Sequence, residues 1–164
     1  MLEEIELPKK KLSEDAVKVW WICEVIENVI AFIILAVLFY LDYRFSWKEW
    51  VGWILIGLAA LFVPGLVWSA IEPKWKWKGW RYDVSEEFLM LKQGVWKEQQ
   101  QLIPMTKIQS VATEQGPILR KYGLYTVKVE TMASLHTIPA LPRNVAFGLR
   151  NEIAQYAKIK EVEG

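Results

Sequence analysis

The 164-residue chain contains a single cysteine, Cys23, and a single histidine, His136. One cysteine excludes an intramolecular disulfide, and together the two residues fall short of the three or four Cys and His ligands of a usual zinc site. Glycine and proline are scarce, at 9 and 7 residues, which excludes a collagen-like or low-complexity chain. With 53% hydrophobic residues and a net charge of +1, the chain is not disordered either. We predict no metal and no cofactor.

Catalytic motifs are missing as well. The sequence has no G-x-x-x-x-G-K-[ST], no G-x-G-x-x-G, no H-E-x-x-H and no G-x-S-x-G. Catalysis through His136 is formally possible, but this residue lies between Leu135 and Thr137 in a strand-like segment, where packing or solvent exposure is its ordinary role. We therefore predict a non-enzymatic protein without catalytic residues.

Two long apolar runs dominate the first half of the chain. From Trp20 to Leu41 the only charged residues are Glu24 and Glu27, and from Trp50 to Ile71 there is none. Each run has 22 residues, and a helix of that length spans about 33 Å, enough for a hydrocarbon core of ~30 Å. We predict transmembrane helices over about 20–41 and 50–71, joined as an antiparallel hairpin. The alternative, two helices in a soluble core, is disfavoured because so short a chain could hardly cover both.

Cations lie at the outer ends of these runs. Four precede the first run and four follow the second: Lys9, Lys10, Lys11, Lys18, Lys74, Lys76, Lys78 and Arg81. In the link, Arg44 and Lys48 are balanced by Asp42 and Glu49. The excess of Lys and Arg marks the cytoplasmic side. Residues 1–19 and 72–164 are therefore both predicted to be cytoplasmic, with the hairpin at 20–71 in the membrane.

Basic and aromatic residues alternate directly after the second run. This segment comprises Lys74, Trp75, Lys76, Trp77, Lys78, Trp80 and Arg81. Each cation beside an anionic leaflet contributes about 1 kcal/mol of attraction, so we predict a membrane-surface collar here. The same alternation suits single-stranded nucleic acid, but direct attachment to a membrane span favours lipid. We predict membrane lipids and no nucleic acid as partners.

Polar and small residues within the runs suggest further contacts. Glu24 and Glu27 lie three residues apart, and they either reach headgroup level or meet Lys74 or Lys76, or else they contact a partner membrane protein. In the second run Gly57, Ala60 and Pro64 recur at helical spacing. Such small residues predict the face on which the two helices pack.

Residues 72–164 change to a strand pattern. Apolar and polar residues alternate around Tyr82 and again over 125–130, with turn residues between such segments. Val145, Leu149 and Ile153 then recur on one face of a helix predicted from 142 or 143 to 160. Six or seven strands followed by an amphipathic helix predict a bent sheet or barrel plugged by that helix.

Several segments of this region, taken in order, resemble the bacterial pleckstrin-homology-like (PH-like) domain of small YdbS-type membrane proteins. They are Trp80-Arg81-Tyr82, 89–94, Ile103-Pro104, 107–111, 115–124 and 127–131. The resemblance covers residues 75–160, and the preceding hairpin matches the family's usual arrangement. It implies an α+β membrane protein of a prokaryotic plasma (inner) membrane. Its PH-like barrel or sandwich would have two antiparallel sheets of about seven strands and a C-terminal amphipathic helix.

The resemblance implies a poorly defined activity, with paired membrane partners and tolerance of antimicrobial peptides among its associations. The first loop, Val84-Ser85-Glu86-Glu87, is acidic and disfavours a phosphoinositide site there. The loop at 115–123 is either a structural corner or a partner site presenting Arg120, Lys121 and Tyr122. We predict a scaffold that recruits partner proteins, either another membrane protein or a further copy of the chain. The alternative is a membrane subunit of a transport or peptide-resistance complex that acts through Glu24 and Glu27.

Overall fold

The computed structural model describes residues 8–163, and side chains as far as Lys158. The elements in chain order are α1 (Asp15–Phe45), α2 (Glu49–Gly79), β1 (Arg81–Val84), β2 (Phe88–Gln93), β3 (Gln99–Pro104), β4 (Ile108–Glu114), α3 (Pro117–Lys121), β5 (Leu124–Thr131), β6 (Leu135–Pro142) and α4 (Arg143–Glu163). A 3-10 turn, Met105–Lys107, joins β3 to β4. The described chain forms two compact units: the helical hairpin over Trp20–Lys74, and a module that combines the residues up to Val19 with those from Trp75 onward.

Helices α1 and α2 each have 31 residues and continue beyond the predicted apolar runs at both ends. Both are long and apolar enough to cross a membrane. The start of α1 is fixed by Ser13, whose Oγ accepts a hydrogen bond from the backbone N–H of Asp15 (3.3 Å). A serine hydroxyl in this position satisfies one of the backbone donors that have no partner in the first helical turn.

The packing face of α2 inside the hairpin differs from the predicted small-residue stripe. Ala60 and Pro64 are exposed, and a Cβ placed on Gly57 would meet no atom within 4 Å. The less exposed positions are Leu55, which is 4% exposed, and Phe62 and Ser69. The prediction was wrong because α2 is apolar on all sides, so the sequence carries no polar face from which the packing face could be deduced.

The module contains two antiparallel sheets, with strand orders β1-β2-β3 and β4-β5-β6. Tyr82 lies opposite Leu91 in the first sheet, and Val127 lies opposite Ile138 in the second. Helix α4 packs on the second sheet and on the 3-10 turn. It buries Ala146, Leu149 and Ile153, which recur on one helical face. Among the described residues no polar or charged side chain is buried.

The structure corrects two parts of the predicted β architecture, the number of strands and the closure of the sheet into a barrel. Residues 8–163 contain six strands rather than about seven, and these form two separate three-stranded sheets rather than a closed barrel. After Pro104 the chain turns through the 3-10 segment and begins the second sheet at Ile108, so β3 and β4 belong to different sheets. The 115–123 segment contains the short helix α3, with Pro117 in its first turn. Pro142 ends β6, and α4 begins at Arg143.

The segment before α1 pairs with the free edge of β1. The backbone N–H of Lys10 donates to the carbonyl of Tyr82 (3.1 Å), and the N–H of Tyr82 donates to the carbonyl of Lys10 (3.0 Å). The indole Nε1 of Trp77 donates to the carbonyl of Leu12 (3.1 Å), and Leu12 itself is 3% exposed. The N-terminal segment therefore belongs to the module and covers an edge strand that would otherwise present unpaired backbone groups.

Candidate membrane-surface and partner sites

The end of α2 and the turn between β2 and β3 form one exposed aromatic surface. The rings of Trp75 and Trp96 stack at 5.9 Å between centroids and 13° between planes. Trp75 was predicted as part of the collar, whereas Trp96, in the turn between β2 and β3, was not predicted as a site residue. Trp96 is 81% exposed and its neighbour Val95 is 45% exposed. A stacked pair with so much apolar surface in solvent is a candidate contact site.

Two glycines hold this turn close to α2. A Cβ on Gly79 would lie 2.6 Å from the carbonyl oxygen of Gly94 and 2.9 Å from Cγ2 of Val95. Gly94 has φ +94°, and a Cβ there would collide with the carbonyl oxygen of Lys97. Only glycine fits either position without displacing backbone. The turn is therefore held in one place by close backbone packing.

A polar pocket of about 200 Å³ lies beside this turn. Its charged lining is Lys78, Arg81, Lys92 and Glu98. Nη1 of Arg81 donates to the carbonyls of Lys78 (3.1 Å) and Trp80 (2.6 Å), which fixes the guanidinium. Nζ of Lys92 pairs with Oε2 of Glu98 at 2.9 Å. With three cations and one carboxylate, the pocket favours an anion.

The predicted collar residues divide into two groups. The side chains of Lys74, Trp75, Lys76 and Lys78 are exposed, as a membrane-surface role requires. Trp77, Trp80 and Arg81 are half-buried, and both Trp77 and Arg81 donate hydrogen bonds to backbone carbonyls within the module. The second group contributes to the packing of the module.

Within the hairpin, Glu24 lines a groove of about 380 Å³ between α1 and α2. Asn28 lines the same groove, and its Nδ2 donates to the carbonyl of Glu24 (2.7 Å) and to Oγ of Ser69 (3.0 Å). Glu27 is exposed and is not among the residues that line this groove. The structure therefore places Glu24 in the lining of the groove that also holds Asn28 and Ser69, and it leaves Glu27 outside that lining.

Helix α3 presents the predicted basic pair. Arg120 and Lys121 are exposed, whereas Tyr122 is half-buried at the C-terminal end of α3. A hydrogen bond to Asp15 (2.7 Å) and the charge of that carboxylate raise the pKa of Lys18, and Tyr122 adds a smaller contribution in the same direction. The basic pair therefore lies on a short helix whose end is near the start of α1.

The single histidine joins the two sheets through its side chain. Nδ1 of His136, on β6, is 2.9 Å from Oε1 of Gln101 on β3, and Nε2 is 2.7 Å from Oγ of Ser134. The two ring nitrogens therefore pair with a side-chain amide and a hydroxyl. Neither partner is a carboxylate of the kind that orients the histidine base of a catalytic triad. Among the described side chains, residues 8–158, no three His, Cys, Asp or Glu side chains are grouped as metal ligands.

Two long apolar helices joined to a small module of two antiparallel sheets and a C-terminal helix define a membrane protein with a PH-like domain. Comparison with known proteins agrees, since the family model for the bacterial PH domain matches residues 17–157. The chain is 36% identical to the transmembrane protein YdbS of Bacillus subtilis (strain 168) over 157 residues, which cover 95% of this chain and 97% of that protein. No solved structure matches significantly. The chain belongs to the bacterial PH domain family.

Proposed function

We propose that this protein is a membrane-anchored scaffold whose PH-like module recruits partner proteins at the cytoplasmic face of the membrane. The observation that carries this proposal is the surface of the module, where large apolar side chains face solvent at the turn between β5 and β6. Met132 is 83% exposed and Leu135 is 57% exposed. Exposed apolar side chains of this size are typical of protein contact sites, and methionine adapts to partners of different shape.

Two further features support a protein-binding role. Strand β4 lies at the edge of the second sheet, where an extended segment of a partner can add as a further strand. Helix α3 adds Arg120 and Lys121 as exposed cations, which attract an acidic partner. The partner in this proposal is another membrane protein or a second copy of the chain, and the setting is envelope stress or tolerance of antimicrobial peptides.

The test is cross-linking of the full-length protein in polymer discs prepared from its native membrane, with a photo-reactive residue in place of Met132. We expect a stoichiometric cross-linked partner that is lost when Arg120 and Lys121 are both changed to Glu. The matched control changes Lys107 and Lys158, two exposed cations elsewhere on the module, to Glu and should retain the partner. If the controls and the site variants behave alike, or if no partner is captured, the scaffold proposal is wrong.

A second candidate function is that of a membrane subunit in a transport or peptide-resistance complex. It is favoured by the groove that brings Glu24, Asn28 and Ser69 together between two membrane helices. Polar side chains inside a membrane often mark functional sites. Changing Glu24 and Glu27 to Gln should then abolish resistance to cationic peptides at normal expression, whereas Glu49→Gln should not. Full resistance in the double variant would rule this function out.

A further inference from the structure

We propose that the turn between β2 and β3 is a second membrane anchor. In this arrangement Trp96 enters the headgroup layer, and the basic pocket beside the turn binds the phosphodiester of an anionic lipid. This inference rests on one part of the proposed function, namely that the module works at the surface of the membrane in which the hairpin is anchored. It adds a lipid site built by residues distant in sequence from the predicted collar.

The position of Trp96 follows from chain connectivity. Trp75 comes four residues after Ile71, the last residue of the second apolar run. Four residues span at most about 14 Å in any conformation and about 6 Å in a helix. Trp96 stacks on Trp75 at 5.9 Å. A headgroup layer is roughly 5–8 Å thick on each side of the hydrocarbon core, and α2 is helical as far as Gly79, so the tryptophan pair is within reach of that layer.

The chemistry of the turn suits this depth. Tryptophan is enriched at the membrane interface because its ring is apolar while its indole N–H is a hydrogen-bond donor. At 81% exposure, Trp96 leaves most of its ring outside the module, and Val95 adds apolar surface beside it. Since Gly79 and Gly94 hold the turn against the end of α2, no ordering of the turn is needed before it meets lipid.

The pocket supplies the complementary charge. Lys78, Arg81 and Lys92 exceed Glu98 by two positive charges, which one phosphodiester reduces to one. Arg81 is held by two carbonyls through Nη1, so the guanidinium is oriented before a ligand arrives. Glu98 is 54% exposed and pairs with Lys92, whose side chain is 19% exposed. An incoming phosphate can take the place of that exposed carboxylate on Lys92. This site differs from the acidic β1–β2 loop, which lies at the other end of β1.

The experiment measures the depth of the turn directly in the full-length protein. In a Cys23→Ser background, Lys97→Cys carries a spin label next to Trp96 and leaves Trp96 in place. Glu86→Cys, in the exposed link between β1 and β2, is the matched control. Discs contain either phosphatidylcholine alone or phosphatidylcholine with phosphatidylglycerol. We expect the label at 97 to be reached more by oxygen than by a water-soluble nickel reagent, and the label at 86 to show the reverse.

Two variants separate the aromatic and the ionic contributions. Trp96→Ala should move the label at 97 to the accessibility of position 86, whereas Trp96→Phe should retain most of the difference. Arg81→Gln with Lys92→Gln should lower co-purified phosphatidylglycerol several-fold, and excess inorganic phosphate should not displace the lipid. Unchanged thermal unfolding of Trp96→Ala shows that the module remains folded. If Trp96→Ala does not fold, the accessibility of the label at position 97 in the chain that keeps Trp96 decides the proposal.

The proposal is overturned if the label at 97 is as accessible to nickel as the label at 86 in anionic discs. A protein cross-linked at 97 in place of lipid would also overturn it. Cross-linking at Met132 in the polymer discs prepared from the native membrane distinguishes this failure from failure of the scaffold proposal. Partner capture without lipid contact at 97 refutes only the lipid site, and lipid contact without a partner refutes only the scaffold.

Discussion

At the scale of single residues, Gly94 is the most tightly constrained of the described glycines. Its φ of +94° is in the region that glycine alone adopts without strain, and the carbonyl of Lys97 occupies the space of a side chain. Gly79 is restricted for a different reason, because the backbone of Gly94 lies against it. Two glycines 15 positions apart in the sequence therefore depend on each other. The sequence identifies Gly94 as a turn residue, but it does not show that the backbone of Gly94 lies against Gly79.

We predict that Gly94→Ala destabilises the module by at least about 1–3 kcal/mol, the ordinary cost of a strained backbone conformation. The matched control is Gly148→Ala in α4, where a Cβ meets nothing within 4 Å. There alanine should stabilise by roughly 0.5–1 kcal/mol, because glycine is a poor helix former. Thermal unfolding of the purified protein in detergent measures both. Equal midpoints for the two variants would contradict the prediction.

Tyr82 makes the stability of the module depend on alkaline pH. Burial raises the pKa of its phenol, and the charges of Asp83 and Glu152 act in the same direction. Because the folded pKa lies above the unfolded value of about 10, the folded state retains the proton more strongly. The stabilisation is complete below pH ~10 and is lost as the pH rises through the folded pKa.

We therefore predict that the unfolding midpoint falls more steeply above pH ~10 in the native protein than in Tyr82→Phe. The phenylalanine variant keeps the ring and removes only the titrating hydroxyl, so the other tyrosines and the lysines act equally in both proteins. Tyr125→Phe, which removes the hydroxyl of a half-buried tyrosine elsewhere in the module, is measured alongside as the control. Parallel curves for the native protein and Tyr82→Phe would refute this dependence.

At the scale of elements, the sequence predicted those whose pattern is local. The two apolar helices, the amphipathic helix α4 and the alternating strands were confirmed, since each follows from periodicity over consecutive residues. The pairing of Lys10 with Tyr82 was missed because it depends on two segments 72 positions apart. Helix α3 was missed because five residues are too few to show a helical period.

The Lys10 bridge yields a prediction at this scale. Lys10→Pro removes the N–H that donates to the carbonyl of Tyr82. The segment around residue 10 should then separate from β1, and the amide of Tyr82 should lose its protection from hydrogen exchange. Lys10→Ala keeps that N–H and removes only the side chain that pairs with Asp83 at 4.0 Å. Hydrogen exchange at Tyr82 should quicken several-fold in the proline variant and stay near native in the alanine variant. The same exchange in both would show that the bridge does not protect β1.

At the scale of the whole molecule, the candidate membrane site could be predicted only in part. Trp75 and its neighbouring lysines were predicted because basic and aromatic residues alternate directly after an apolar run. Lys92, Val95 and Trp96 were not found, because their segment shows no such alternation and gains its role only where the β2–β3 turn meets the end of α2. The collar, the basic pair of α3 and the acidic pair of α1 stay predictions until variants are measured.

The orientation of the protein in the membrane yields the last prediction. Because cations lie outside both apolar runs while those of the link are balanced by carboxylates, we expect both termini in the cytoplasm. In a Cys23→Ser background, Lys48→Cys lies in the link between α1 and α2, and Glu86→Cys lies in the module. A membrane-impermeant maleimide should label position 48 in intact cells and position 86 only after lysis. Labelling of position 86 from outside would reverse the topology and, with it, place the proposed partner and lipid contacts on the opposite face of the membrane.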